Sequence, residues 1–164
     1  MSVPYFYKNI NSKFISIEGA DSSEFLQNLI TNDIHNCTKD NVIYSCLLTP
    51  QGKFLSDFFI FKIDKRFILE IHESFYENLI KKLKVYKLRS KVQINKMDSL
   101  YSFVIFGDQK KDDETIILCN DPRNKNIGYK LIHKSENPKI LNNFNEINEE
   151  KYHEILIKNL VPSS

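Results

Sequence analysis

Val42-Ile-Tyr-Ser-Cys-Leu-Leu48, Thr49-Pro-Gln-Gly52 and Phe54-Leu-Ser-Asp-Phe-Phe-Ile-Phe-Lys-Ile63 form the stretch that decides the fold. Two runs rich in β-branched and aromatic residues flank a turn sequence, which reads as a hairpin. Its loop is longer than the two-residue type. Asp64-Lys65 is a tighter turn into Phe67–His72, so the hairpin extends into a meander of three antiparallel strands.

Working outward, Ser12–Glu18 alternates Phe14 with Ser16 and Ile15 with Ile17, as a strand does, and Gly19 ends it. Asp21-Ser-Ser-Glu24 is an N-cap signal with a carboxylate three residues on. Phe25, Leu26, Leu29 and Ile30 follow at helical spacing, which predicts a helix over 22–32. Beyond the meander, Ser74 caps a second helix, with Glu77 three residues later. Phe75, Leu79, Leu83 and Tyr86 form its apolar stripe. Lys91–Ile94, Tyr101–Phe106, Thr115–Leu118 and Ile127–Ile132 read as further strands, separated by turns at Gly107-Asp108 and Asp121-Pro-Arg-Asn124. Residues 134–149 are polar and read as loop or linker, and Glu149–Leu160 reads as a last helix broken by Val161-Pro162. Hairpins with interspersed helices predict an α+β class, antiparallel sheets with packed helices.

The 164 residues carry a net charge of +2, which excludes a histone-like composition. An apolar content of 41% excludes a disordered chain. No run approaches the roughly 18 apolar residues of a membrane span, so membrane partners are not expected. Met1-Ser-Val-Pro-Tyr-Phe-Tyr-Lys8 lacks a secretory pattern. Cys37, Cys46 and Cys119 show no metal-ligand spacing. They read as reduced thiols of a cytoplasmic protein that binds no metal. There is no GxGxxG, no GxxxxGK[ST], no GxSxG elbow, no close histidine pair and no tryptophan.

Two features carry chemistry. Lys81, Lys82, Lys84, Lys87, Arg89 and Lys91 place six positive charges in eleven residues. An anion or nucleic-acid patch and the solvated face of a helix both fit. The near-neutral chain, with only 3 Arg among 23 basic residues, favours the solvated face and argues against nucleic acid. The second feature is Asp57, a carboxylate among Phe54, Phe58, Phe59 and Phe61. Unpaired burial there is costly. It either accepts hydrogen bonds from a loop or faces a ligand cavity, and a buried carboxylate is a natural partner for the N–H groups of a heterocycle.

At this point the strings resemble a family. Ile17-Glu-Gly-Ala-Asp21 with Glu24-Phe-Leu-Gln-Asn-Leu-Ile-Thr-Asn-Asp33 is similar to the opening of the folate-binding YgfZ/IBA57 proteins, relatives of the glycine-cleavage T-protein (aminomethyltransferase). Val42 through Asp57 resembles that family's central hairpin, Tyr86-Lys-Leu-Arg-Ser-Lys-Val92 its next signature, and Asp121-Pro-Arg123 with Gly128 a further one. Tyr152 and Val161-Pro162 resemble the segment that ends its N-terminal half, with Leu156 and Leu160 in place of the usual Arg and Gly.

The resemblance implies an N-terminal α/β region over 1–133, with two interleaved subdomains, a polar linker over 134–148 and a terminal helix over 149–164. It implies a folate pocket that includes Tyr44, Asp57, Phe61 and His72, with Asp57 the candidate catalytic residue beside the reactive nitrogen of tetrahydrofolate. Ser56 replaces the first member of the T-protein Asp-Asp pair, which favours the YgfZ/IBA57 branch. That branch's Lys-Gly-Cys motif falls downstream of Ser164, so the chain is expected to be an N-terminal half. The expected function is that of a tetrahydrofolate-binding accessory protein for iron–sulfur cluster assembly or repair. Its expected partners are iron–sulfur assembly proteins and a separately encoded C-terminal half. The alternatives are an aminomethyltransferase and a non-catalytic interaction module.

Overall fold

The computed structural model describes residues 3–108 and 110–162. Met1, Ser2, Gln109, Ser163 and Ser164, which belong to the expected 1–133 and 149–164 segments, lie outside the described residues. In chain order the elements are β1 (Tyr5–Asn9), β2 (Ser12–Glu18), α1 (Ser22–Gln27), β3 (Ile43–Leu48), β4 (Phe54–Ile63), β5 (Arg66–His72) and α2 (Glu73–Lys87). They continue with β6 (Gln93–Met97), β7 (Tyr101–Phe106), β8 (Thr115–Asn120), β9 (Tyr129–His133), β10 (Asn145–Glu146) and α3 (Glu149–Lys158). The fold is α+β, as expected, with two five-stranded sheets.

The chain divides into two compact units. Asn11–Asp98 builds one of them around an antiparallel sheet ordered β3-β4-β5-β2-β6. The predicted meander is its centre. Ile15, Ile17, Phe58, Ile60, Leu69 and Ile71 point from one face of the sheet into a single core with Phe25 and Leu26 of α1 and Leu79 and Leu83 of α2. Each such side chain, fully buried, contributes about 1.5–3 kcal/mol.

Three local readings shift, each for a physical reason. The helix expected over 22–32 stops at Gln27 because the following chain pairs with β3 instead. Ile30 bridges Leu47, and the Thr31 N–H donates to the Cys46 carbonyl at 3.1 Å. Asp21 does not cap α1 with its side chain. Its Oδ2 accepts the Lys91 N–H at 2.6 Å, tying the start of α1 to the segment after α2. The second helix starts one residue before Ser74, with the His72 Nδ1 accepting the Ser74 N–H. Its buried stripe is turned by about one residue: Tyr76, Leu79, Ile80 and Leu83 are buried, and Phe75 and Tyr86 only partly so.

The other unit is formed by the chain before Asn11 and from Ser99 onward. Its sheet is ordered β10-β1-β7-β9-β8, with β10 parallel to β1 and the remaining pairs antiparallel. On one face Tyr7, Val104, Tyr152 and Leu156 pack together, and Tyr7 stacks on Tyr152 with centroids 4.5 Å apart. On the other, Phe103, Ile105, Leu131 and Leu141 form a second cluster. The stretch 134–149, polar in composition, contains the buried Leu141 and the short strand β10. Arg123 forks onto the buried Asp121, its Nε donating at 3.0 Å and Nη2 at 2.8 Å. Fully buried His133 holds Asp112 through Nε2 at 2.9 Å.

Two predictions follow from these contacts. Gly19 has φ +125, and a Cβ there would stand 2.1 Å from the Lys91 carbonyl oxygen. Gly19→Ala should therefore cost about 1–3 kcal/mol or more, read as a lower urea midpoint. Burial, followed by the charges of Glu149 and Tyr152, pushes the Tyr7 phenol up to about 12 from an ordinary 10.0. A raised folded-state pKa means the folded chain keeps a proton that the unfolded chain releases. Its contribution to stability should be complete below pH 10.0 and be lost as the pH rises through 12. Tyr7→Phe should flatten that alkaline decline in denaturant midpoints measured across the window.

Candidate functional site

The two-residue period of a strand sends alternate side chains to opposite faces. On β3, Ile43, Ser45 and Leu47 are buried toward the helices, which leaves Tyr44, Cys46 and Leu48 on the opposite face. On β4, Phe58 and Ile60 enter the core, which sets Asp57, Phe59 and Phe61 on that same opposite face. The register then fixes the neighbours. Tyr44 lies opposite Phe59, and Cys46 opposite Asp57. On β5 the partner of Phe59 is Glu70 and that of Phe61 is Ile68.

Asp57 is 7% exposed. Its Oδ2 accepts the Tyr44 hydroxyl proton, a diagonal contact across the hairpin. Its Oδ1 is buried and has no hydrogen-bond partner among the described residues. A charge-assisted bond to Oδ2 stabilises by roughly 1.5–3 kcal/mol, whereas an unsatisfied buried acceptor costs about as much. The donor thus comes from an adjacent strand rather than from a loop, and half of the carboxylate is left able to accept a further N–H or O–H.

The other sequence-predicted site residues fall as follows. Tyr44 meets Asp57 directly, and its ring lies tilted against Phe59 at 5.2 Å. His72 ends β5, opposite Ser12 of β2, and its ring Nδ1 caps α2 through Ser74. The β4–β5 register is traced to Phe59 and Glu70, and Asp57 and His72 stand two residues further along their strands. Phe61 lies four residues from Asp57, roughly 13 Å along the strand at its usual rise. It is fully buried, edge-on to Phe14.

Two neighbours escaped the sequence reading. Glu70, 2% exposed, is a second carboxylate on the same face, and its Oε1 accepts the Ser12 hydroxyl at 2.8 Å. It sits in the apolar run Phe67-Ile-Leu-Glu-Ile-His72, the same signal that exposed Asp57. Cys46 is the second. Burial first, and the Asp57 carboxylate next, push its thiol up, against a hydrogen bond with Thr31. Among the described residues no group of three or more His, Cys, Asp or Glu is placed to hold a metal ion. No helix among them is long and apolar enough to cross a membrane.

A two-unit α+β chain with a half-satisfied carboxylate on a central hairpin is the class that the geometry defines. Comparison with known proteins places it further. The GCVT N-terminal domain family matches residues 11–111, and the chain belongs to that family. Among curated relatives it is 30% identical over 130 residues to an iron–sulfur cluster assembly factor IBA57 homolog, mitochondrial, from Pyricularia oryzae, covering 73% of this chain and 33% of the relative. The counterpart from Mycosarcoma maydis is 29% identical over 132 residues, covering 71% and 33%. The chain therefore spans about a third of the length of the curated relatives it matches. Among solved structures, the glycine cleavage system aminomethyltransferase T from Bartonella henselae superposes with a TM-score of 0.65 at 14% identity. That match covers 98% of this chain and 47% of the aminomethyltransferase, and it shows the fold.

The carboxylate's effect on its cross-strand thiol is measurable. Asp57→Asn removes the negative charge opposite Cys46, which should lower the thiol pKa and raise the thiolate fraction. Alkylation of Cys46 by iodoacetamide near neutral pH, followed by peptide mass spectrometry, should become faster, by less than the roughly tenfold that a full pKa unit gives.

Proposed function

We propose that the chain is the tetrahydrofolate-binding N-terminal part of an IBA57-like accessory factor for iron–sulfur cluster assembly or repair. The observation that carries the folate reading is Asp57 Oδ1, a buried carboxylate oxygen without a donor among the described residues. Such an oxygen suits the N–H groups of a pterin ring, which are arranged to donate to a carboxylate. The residues present thus fit the group. Asp57 would accept from it and Tyr44 would hold the carboxylate in position. His72 would contribute a polar edge, and Phe61, fully buried, would pack behind the site. Tetrahydrofolate, when bound, supplies a nitrogen that carries one-carbon units.

The iron–sulfur part rests on the relatives, whose names assign them to cluster assembly. The chain spans about a third of their length, and its partners in this reading are iron–sulfur assembly proteins. A reducing cytoplasmic setting belongs to this reading and agrees with Cys37, Cys46 and Cys119 being free thiols. The aminomethyltransferase reading has less support. Ser56, where the resemblance calls for an aspartate, is a buried hydroxyl.

The test is calorimetric titration of tetrahydrofolate into the chain together with the C-terminal part of an IBA57 relative. Asp57→Ala should weaken binding about tenfold or more, the loss of one charge-assisted hydrogen bond, with little change in the urea midpoint. A loss of several kcal/mol in stability with unchanged folate affinity would show a purely structural carboxylate and end the folate reading. Aminomethyl transfer in a reconstituted glycine-cleavage assay would reverse the ranking of the two readings.

A further inference from the structure

The unit built on the β10-β1-β7-β9-β8 sheet contains a cavity of about 190 Å³ whose lining residues all belong to that unit. The strand register builds its floor. Lys8 lies opposite Phe103 of β7, and Phe6 opposite Glu146 of β10, so these side chains share the face turned away from Tyr7 and Val104. Phe6 meets Phe103 edge-on, with ring centroids 6.1 Å apart. Pro138 and Leu141, both buried, wall the cavity from the segment after β9. That segment is pinned at both ends. The Ser135 N–H donates to Nδ1 of the buried His133 at 2.9 Å, and the Asn145 N–H to the Pro4 carbonyl at 2.9 Å. The wall is thus held in place without a ligand, as binding pockets usually are.

The charges on this cavity do not balance. Among the described residues Lys8 is the one cation that lines it, and Glu136 and Glu146 are its two acids. Lys8 is already spent: its side chain is 20% exposed, and its Nζ donates to Glu136 Oε1 at 3.0 Å. Glu146 forms no ion pair among the described residues. One negative charge is therefore in excess, and the register holds it beside Phe6. The floor points the same way. The faces of Phe6 and Phe103 carry the negative side of the ring quadrupole, which attracts a cation and not an anion. Asn137 and Asn142 at the rim add amide oxygens able to accept from an N–H.

We propose that this cavity binds a small organic cation, a free amine with one ring, its ammonium meeting Glu146 and its hydrocarbon body resting on Phe6 and Phe103. The excess acid sets the sign of the ligand. An anion would have to displace Glu136 from Lys8 and then face Glu146, and a neutral molecule would leave Glu146 without a partner. The volume sets its size. An apolar cavity of about 150 Å³ holds benzene, so this one admits a single ring with a short arm. The inference is independent of the folate reading, since none of the lining residues lies on β3, β4 or β5.

The test titrates the chain with benzylamine, benzyl alcohol and benzoate, which share a ring and differ in charge, and follows backbone amide shifts by NMR. Benzylamine should saturate with a Kd of about 1 mM, as suits so small a ligand, and move the amides of Asn137, Leu141 and Asn142 most. It should bind about fivefold more tightly than benzyl alcohol, by a margin that shrinks as salt rises. Glu146→Gln should bind benzylamine about threefold more weakly with an unchanged circular dichroism spectrum, since the side chain is exposed. In the double variant Glu136→Gln, Glu146→Gln, Lys8 is the one charge left on the cavity, and benzoate should then bind more tightly than benzylamine. Asp57→Ala should bind benzylamine as the parent chain does. Equal affinity for benzylamine and benzyl alcohol, shifts that do not saturate or that fall away from the cavity, or indifference to Glu146→Gln would overturn the proposal. So would tighter binding of Nα-acetyl-lysine amide than of benzylamine, which would make the occupant a protein side chain.

Discussion

The two-residue period of β4 is the constraint on which the rest of the first unit depends. Phe58 and Ile60 can reach the helices only if Asp57, Phe59 and Phe61 face the other way. A slip of one residue would drive the carboxylate into the core formed by α1 and α2 and expel two large apolar side chains from it. The register is therefore fixed by the same burial that places Asp57. The hydrogen bond from Tyr44 then follows without further adjustment, because β3 obeys the same period and sets Tyr44 diagonally across from Asp57.

This coupling explains why an ionisable group is tolerated in a strand of this composition. A fully satisfied Asp57 would be a structural pin between β3 and β4. With Oδ1 left without a donor among the described residues, the carboxylate keeps an unused acceptor in a low-dielectric setting, where a matching donor gains most. The same face carries Glu70, supported by Ser12 from β2. Two carboxylates from neighbouring strands thus share a face otherwise apolar in its neighbours, Phe14 and Phe61 among them.

Legibility in the sequence followed the range of the interactions involved. The meander was readable because its alternation and its Thr49–Gly52 and Asp64-Lys65 turns are local signals. The end of α1 was not. Leu29 and Ile30 keep helical spacing, but Ile30 and Thr31 find better partners on β3, and no window around them contains that information. Asp21 failed as a cap for the same reason, since its partner, the Lys91 N–H, is seventy residues away. β10 was invisible because it has two residues and exists only as a parallel partner of the other end of the chain, and β1, Tyr5-Phe-Tyr-Lys-Asn9, was missed because it shows no apolar–polar alternation. For the site, Asp57 stood out as a carboxylate in an apolar run, and Glu70 carried the same signal unheeded. The pairing of Tyr44 with Asp57 needed the register to be seen.

The net charge of +2 averages over a surface that is not uniform. Six cations fall within the eleven residues from Lys81 to Lys91, with Glu77 in reach of Lys81 and Lys84 and with Asp21 and Glu24 beside Arg89. Position along α2 favours this in one respect: cations near a helix C-terminus are stabilised by its dipole. That accounts for Lys84 and Lys87, within the last turn. It does not account for Arg89 and Lys91, which lie beyond the helix, nor for Leu88, which precedes them in a strained conformation with its side chain in water. The helix dipole thus explains the near half of the run, whereas solvation alone keeps the far half in water.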